Sequence, residues 1–288
     1  MPWKIEKDIR NNNILREEFM ELAIKTFNLD FHNWWENGFW EDKYIPYVMT
    51  DGRQVIANVS VNIMDMVQDG EPKRYIQLGT VMTAPEFRRQ GFSRQLMEAV
   101  LDDWKDRCSG VYLFANDSVL EFYPRFGFKK AEEYQVSLDI SPKPGRTRRL
   151  DMSSPKDVQE LFRYYKKGSP HSRFSMADNE GLLAFYCTGF LKGNVYILPE
   201  FDAAAVAERD GSSCICYDIF SDGKAELKDI LEVLAVPETK RAVLGFTPKV
   251  PIGKAELLEE EDTTLFILDG KGDLLQGGRM MFPLLSHA

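Results

Sequence analysis

Two stretches of this sequence combine residue types that can do chemistry. The first is Thr80-Val-Met-Thr-Ala-Pro-Glu-Phe-Arg88-Arg-Gln-Gly-Phe-Ser93. A strand is expected to end near Met82 and a helix to begin around Gly91. The opening amides of a helix lack internal partners, and its dipole favours an anion there. Gly91 would let the backbone approach a phosphate, and the small Ser93 keeps the next turn open. Arg88, Arg89 and Arg94 add positive charge beside them. Such a loop suits a phosphate, although alone it also reads as a basic helix start. The second stretch runs from Asn116 through Tyr123 to Gly127-Phe128. It offers an amide at the end of an apolar run and a phenol seven residues on. Taken alone, Tyr123 reads first as a packing residue.

The elements that must position these groups are legible in the periodicity. Ile14, Leu15, Phe19, Leu22, Ala23 and Phe27 recur at helical steps. An aromatic-rich stretch, His32–Trp40, follows, and then the period falls to two. Tyr44–Thr50, the alternating residues Val55 to Ile63, and Tyr75–Met82 read as strands, with turns at Asp51-Gly52 and Asp69-Gly70. Phe92, Leu96, Met97, Val100, Leu101 and Trp104 form one helical stripe. Val111–Ala115 suits a strand covered on both faces. A short helix-like segment around Ser118–Arg125 leads to a strand at Glu133–Ile140. Ser141-Pro-Lys-Pro-Gly-Arg146 opposes regular structure and marks a linker.

Beyond it, Pro155–Lys166 and Asn179–Phe190 look helical. Val195–Leu198, Ala203–Glu208 and Ser213–Phe220 look like strands. A helix at Ala225–Leu234 precedes strands near Ala242–Phe246, Thr264–Leu268 and Met280–Leu284. Three strands, a helix and three strands repeat the order of the first half without repeating its sequence. The division expected is therefore residues 1–140, a linker at 141–150, and a second α+β unit at 151–288.

The chain has 288 residues, 44% hydrophobic and 28% charged, the balance of a soluble globular protein of two domains. No apolar run is long enough to span a membrane, and the first residues lack a secretion signal, so a cytoplasmic protein with no membrane partner is expected. A net charge of −9 disfavours nucleic acid and favours cationic ligands. Lys143–Arg149 is the one compact basic run and reads as solvated linker. Cys108, Cys187, Cys214 and Cys216 suggest neither a disulfide framework nor a metal site.

Arg88, Gly91 and Ser93, followed by Asn116, Tyr123, Gly127 and Phe128, together resemble the signature of the GNAT superfamily of N-acetyltransferases, over roughly residues 1–140. The resemblance implies an α+β fold with a mixed, mostly antiparallel sheet flanked by helices, and acetyl-coenzyme A as cosubstrate. It implies that Val81, Met82 and Thr83 hold the pantetheine arm through their backbone, with an N–H near Met82 facing the oxyanion. Arg88, Arg89, Gln90, Gly91, Phe92, Ser93 and Arg94 would hold the pyrophosphate, Asn116 would contribute to the same site, and Tyr123 would be the general acid. Ser93 departs from the family's glycine or alanine. The aromatic insertion His32–Trp40 is expected to shape the acceptor pocket.

For the base, Glu41, Asp42, His32 and the carboxylate of Ala288 stand as alternatives. The second half resembles the same fold by strand order but lacks its motifs: Ser221–Glu226 carries one glycine and two acidic residues where the loop should be. It is expected to wall the acceptor site without binding coenzyme A. The function implied is acetyl transfer to the primary amine of a small molecule, with a non-catalytic acyl-coenzyme A sensor as the alternative. A homodimer is one assembly open to such a protein.

Overall fold

The computed structural model describes residues 2–270, 274–275 and 278–288. Strand β1 (Lys4–Lys7) precedes helix α1 (Asn13–Phe27), which starts where the Asn12 side chain accepts from Leu15 N and stops at Asn28 in the left-handed conformation. The short α2 (His32–Glu36) is followed by β2 (Tyr44–Thr50), β3 (Val55–Gln68) and β4 (Glu71–Thr83). Helix α3 (Phe92–Trp104) buries Phe92, Leu96, Met97, Val100 and Trp104 against the sheet, five of the six residues of the sequence stripe. Then come β5 (Gly110–Ala115), β6 (Phe128–Lys130), β7 (Tyr134–Asp139) and β8 (Arg148–Arg149). The second half adds α4 (Pro155–Tyr165), β9 (Phe174–Ala177), α5 (Glu180–Thr188), β10 (Val195–Leu198), β11 (Ala203–Asp210) and β12 (Ser213–Phe220). It closes with α6 (Leu227–Leu234), β13 (Arg241–Leu244), β14 (Lys254–Leu257) and β15 (Thr264–Leu268).

Two mixed sheets result. The first runs β1-β2-β3-β4-β5-β15-β6, with β9 added along β3. The second runs β14-β7-β13-β12-β11-β10-β8. Each is antiparallel except at one pair, β4 with β5 and β12 with β13. The fold is α+β, as expected.

The partition of the chain between the sheets differs from a simple cut at 141–150. Strand β7, expected in the first unit, pairs with β13 and β14 of the second sheet. In exchange, β15 enters the first sheet between β5 and β6, and β9 lengthens the edge of β3. Periodicity reports that a segment is a strand but not which partner it takes. A single core joins the sheets, packing Met64, Tyr75 and Tyr112 with Phe162, Leu183, Phe220 and Phe282.

Two further expectations are corrected. The helix-like stretch at Ser118–Arg125 is a pair of 3-10 turns, Asp117–Val119 and Tyr123–Phe126; Pro124 has no N–H for a longer helical ladder. Met280–Leu284 is not a strand. It is an extended tail running between the sheets, with Met281 N donating to Thr247 Oγ1 (3.0 Å) and Phe282 N donating to the Glu133 carboxylate (2.7 Å). Side chains thus satisfy the amides that a strand partner would have used.

Candidate active site

The site begins where two strands part. The β4–β5 ladder ends at Leu78 opposite Leu113, while β4 continues to Thr83. On its other edge the β3–β4 register shifts between Asn58 and Ser60, a bulge that places Thr80 at φ 49°. Buried side chains hold this strained residue: Asn58 Nδ2 donates to Thr80 O (2.8 Å), and Tyr44 Oη lies 2.8 Å from Thr80 Oγ1. The parted strands open a cleft of about 670 Å³, lined in part by Val81, Met82 and Thr83.

The basic loop closes one end of this cleft. Arg88, Arg89 and Ser93 line it. Arg88 Nε donates to Thr83 O (3.1 Å), and Ser93 Oγ sits 2.6 Å from Thr83 Oγ1, tying loop to strand. Gly91 caps α3 at φ 84°, where a side chain would be strained. The other loop residues are placed differently. Phe92 is packed edge-on against Trp3, Arg94 turns to Glu98, and the Gln90 side chain folds back to Glu86 O.

Asn116 and Tyr123 line the opposite wall. The Asn116 amide donates to Asp262 Oδ2 (2.9 Å), a residue just ahead of β15, so its side chain also ties the second half to the cleft. Tyr123 is packed among Phe122, Phe128 and Phe266. Burial pushes its phenol up to about 12, and among the described residues nothing hydrogen-bonds its hydroxyl.

A second, narrower pocket adjoins the cleft. Its walls are aromatic: Phe31, Trp34 and Phe39 from the insertion, Tyr44 from β2, and Phe185 from α5 of the second half. Trp34 Nε1 donates to Gly181 O (2.7 Å), stitching α5 onto the insertion. Of the four candidate bases, two reach this pocket, Glu41 and Ala288. His32 is instead held between Asp30 (2.6 Å) and Glu17 (3.2 Å), and chiefly the Asp30 hydrogen bond raises its pKa. Asp42 does not line the pocket.

Ala288 lines both the cleft and the pocket. The Gln77 amide grips it twice: Nε2 donates to Ala288 O (2.7 Å), and Oε1 accepts from Ala288 N (3.0 Å). Gly79 makes room, because a Cβ there would stand 2.7 Å from Ala288 O. Behind it the tail is fixed by Phe282 stacked on Tyr112 and His287 stacked on Phe114, each at 3.9 Å between centroids, and by Tyr186 Oη donating to His287 O. Gln77, Gly79, Phe185 and Asn179 were not singled out by the sequence reading. The one available signal was a glutamine and a glycine in a strand that also carries Ile76, Leu78 and Val81.

The second sheet has no such opening. After its parallel pair, Gly245 N still donates to Cys216 O (2.7 Å), and Leu284 N of the tail covers the next carbonyl, Gly245 O (2.8 Å). Ser221–Glu226 forms a tight turn with Lys224 paired to its own Asp222. Among the described residues no group of acidic, histidine and cysteine side chains is placed to hold a metal ion, and no helix is long and apolar enough to cross a membrane.

Residues 15–131 match the family model of the acetyltransferase (GNAT) domain. No curated protein matches the sequence. Several solved structures share the fold over almost the whole chain. One is a probable N-acyltransferase from Enterococcus faecalis V583, at 14% identity, TM-score 0.63, and coverage of 93% of this chain and 73% of that one. A GCN5-related N-acetyltransferase from Kribbella flavida gives 14% identity and TM-score 0.57, over 92% and 71%. Eis1 from Mycobacterium abscessus gives 14% and 0.56, over 93% and 74%. The parted strands, the basic loop at the helix start and the match to the acetyltransferase (GNAT) domain model at residues 15–131 all fall in one half of the chain.

Proposed function

We propose that the protein transfers the acetyl group of acetyl-coenzyme A to the primary amine of a small molecule. The observation that carries this reading is that the cleft and the aromatic pocket adjoin, sharing Leu29, Thr80 and Ala288. The cleft supports a pantetheine arm beside Val81–Thr83, with the pyrophosphate at Arg88, Arg89 and the amides that open α3. The narrow pocket, roofed by α5, suits a small acceptor better than a peptide.

The proton inventory is simple. An alkylammonium must lose one proton before its nitrogen can attack the thioester carbon. Glu41, the side-chain carboxylate among the candidate bases that lines the pocket, takes that proton. The C–N bond forms as the carbonyl π pair moves to oxygen, and backbone N–H groups near Met82 stabilise the oxyanion. Collapse breaks the C–S bond; the thiolate gains a proton from Tyr123, the nitrogen's second proton restores the Tyr123 phenol, and the proton taken first passes to solvent. A phenol raised to about 12 remains a proton donor at neutral pH.

The test is release of coenzyme A thiol from acetyl-coenzyme A in the presence of a panel of amines. Acceptor-dependent release supports the proposal. Tight coenzyme A binding with no release from any amine would instead support a sensor.

A further inference from the structure

Strand β3 carries a row of buried polar side chains. Asn58 and Ser60 alternate with Ala57, Val59 and Val61, which pack with Leu96, Met97 and Val100 of α3. Burying polar groups is costly unless they are hydrogen-bonded, and these bond one another in a line. Asn58 Nδ2 donates to Ser60 Oγ (2.9 Å), Ser60 Oγ donates to Tyr44 Oη (2.9 Å), and Tyr44 Oη lies 2.8 Å from Thr80 Oγ1. Counting hydrogens fixes the direction of the last link, because each hydroxyl owns one proton. Ser60 spends its own on Tyr44. Were Thr80 the donor, the buried Tyr44 proton would have no acceptor among the described residues, at the full cost of an unmade bond. Tyr44 therefore donates to Thr80, and burial, which pushes its phenol up, keeps it protonated for that role. The Thr80 proton is then left without an acceptor among the described residues. Of Leu29, Thr80 and Ala288, which line both the cleft and the pocket, only Thr80 has a polar side chain.

We infer that the Thr80 hydroxyl is a catalytic group that donates a hydrogen bond to the thioester oxygen of the acetyl donor, aimed by Asn58, Ser60 and Tyr44 as positioning residues. Where cleft and pocket meet, a donor has two partners to choose from, the amine nitrogen and the thioester oxygen. A hydrogen bond to the nitrogen would tie up the lone pair that must attack. The oxygen gains negative charge as the C–N bond forms, and a preorganised donor counts most there. The row supplies the preorganisation: each donated bond polarises the next, and the Asn58 bond to Thr80 O holds the residue at φ 49°. A side-chain donor thus joins the backbone N–H groups near Met82. The hydroxyl keeps its proton throughout, so the proton inventory is unchanged. This inference rests on the acetyl-transfer reading above.

The experiment uses the full chain and two readouts, steady-state thiol release and the infrared carbonyl band of bound, isotope-labelled acetyl-coenzyme A. Thr80→Val keeps the branched shape at the strained position and removes the hydroxyl. It should lower kcat by about 10²–10³, the usual worth of one such donor, with little change in the KM for acetyl-coenzyme A. Thr80→Ser should retain most of the rate. Tyr44→Phe should lower kcat about tenfold, and adding it to Thr80→Val should cost nothing further, because both act through one hydroxyl. The carbonyl band should lie at lower frequency on the wild type and on Thr80→Ser than on Thr80→Val. Melting curves check that each variant is folded, and Thr80→Ala replaces Thr80→Val if the latter is not. A wild-type kcat in Thr80→Val, a Thr80→Ser enzyme as slow as Thr80→Val, or a carbonyl band that does not move overturns the inference and leaves acetyl transfer standing. No thiol release from any amine by the wild type overturns amine acetylation, and the carbonyl band then decides the role of Thr80.

Discussion

Replacing Tyr123 by phenylalanine removes one hydroxyl and little else. The ring stays among Phe122, Phe128 and Phe266 at centroid distances of 5.2, 6.2 and 5.8 Å. No described group loses a hydrogen bond, so the variant should fold and melt within a few degrees of the parent. If Tyr123 protonates the leaving thiolate, its loss should cost about 10²–10⁴ in kcat, the usual worth of a positioned general acid. That range corresponds to about 2.7–5.4 kcal/mol of barrier. The affinity for coenzyme A, measured by titration calorimetry, should be nearly unchanged, because the strand edge and basic loop are untouched. The pH profile adds a second check. With the phenol pushed to about 12, wild-type kcat should show no alkaline fall from phenol ionisation up to about pH 10. A Tyr123→Phe enzyme that turns over at the wild-type rate with a good amine would refute the assignment.

Three other perturbations test the frame around the site. Gln77→Leu removes both hydrogen bonds that hold Ala288 and should lower kcat about tenfold or more with little change in the KM for acetyl-coenzyme A, as read by thiol release. Gly79→Ala places a methyl 2.7 Å from Ala288 O; it should displace the tail, lower kcat similarly, and destabilise by about 1–3 kcal/mol in thermal or urea unfolding. Glu133→Gln should change the pH dependence of stability. Burial pushes the Glu133 carboxyl up to about 8, so the folded protein keeps a proton that the unfolded chain releases above its ordinary value near 4.5. Stability is therefore lost as pH rises from about 4.5 through 8, at up to about 1.4 kcal/mol per pH unit. Glutamine still accepts from Phe282 N, so the melting temperature of the variant should gain on the wild type between pH 6.5 and 8.5. Parallel curves would show that Glu133 ionises normally.

The sequence made the first half legible because its chemistry is local. The loop Arg88–Ser93 and the residues Asn116 and Tyr123 sit within one strand-helix-strand stretch, and of these Arg88, Arg89, Ser93, Asn116 and Tyr123 line the cleft. What stayed hidden is long-range. Nothing in Tyr134–Asp139 or Thr264–Leu268 says that these strands trade sheets, because alternation encodes a buried face and not a neighbour. The base also stayed open: Glu41, Asp42, His32 and Ala288 are alternatives on paper, and of these Glu41 and Ala288 line the pocket. The tail itself reads as a strand, since Met280–Phe282 are as apolar as any strand, and the ring Phe282 stacks on, Tyr112, lies over a hundred residues away.

The strand exchange has a consequence in time as well as space. The half of the chain that carries the signature residues is synthesised first, yet its sheet lacks β15 until residues 264–268 have been made, and the junction of its two cavities lacks Ala288 until that residue is joined. A ribosome-bound chain that has produced every signature residue still has an open gap between β5 and β6. Competence therefore arrives late and all at once, when the far end of the polypeptide docks into the near one. A chain cut short near residue 260 should hold the whole motif and no working site, and would expose two unpaired strand edges of the kind that promote aggregation.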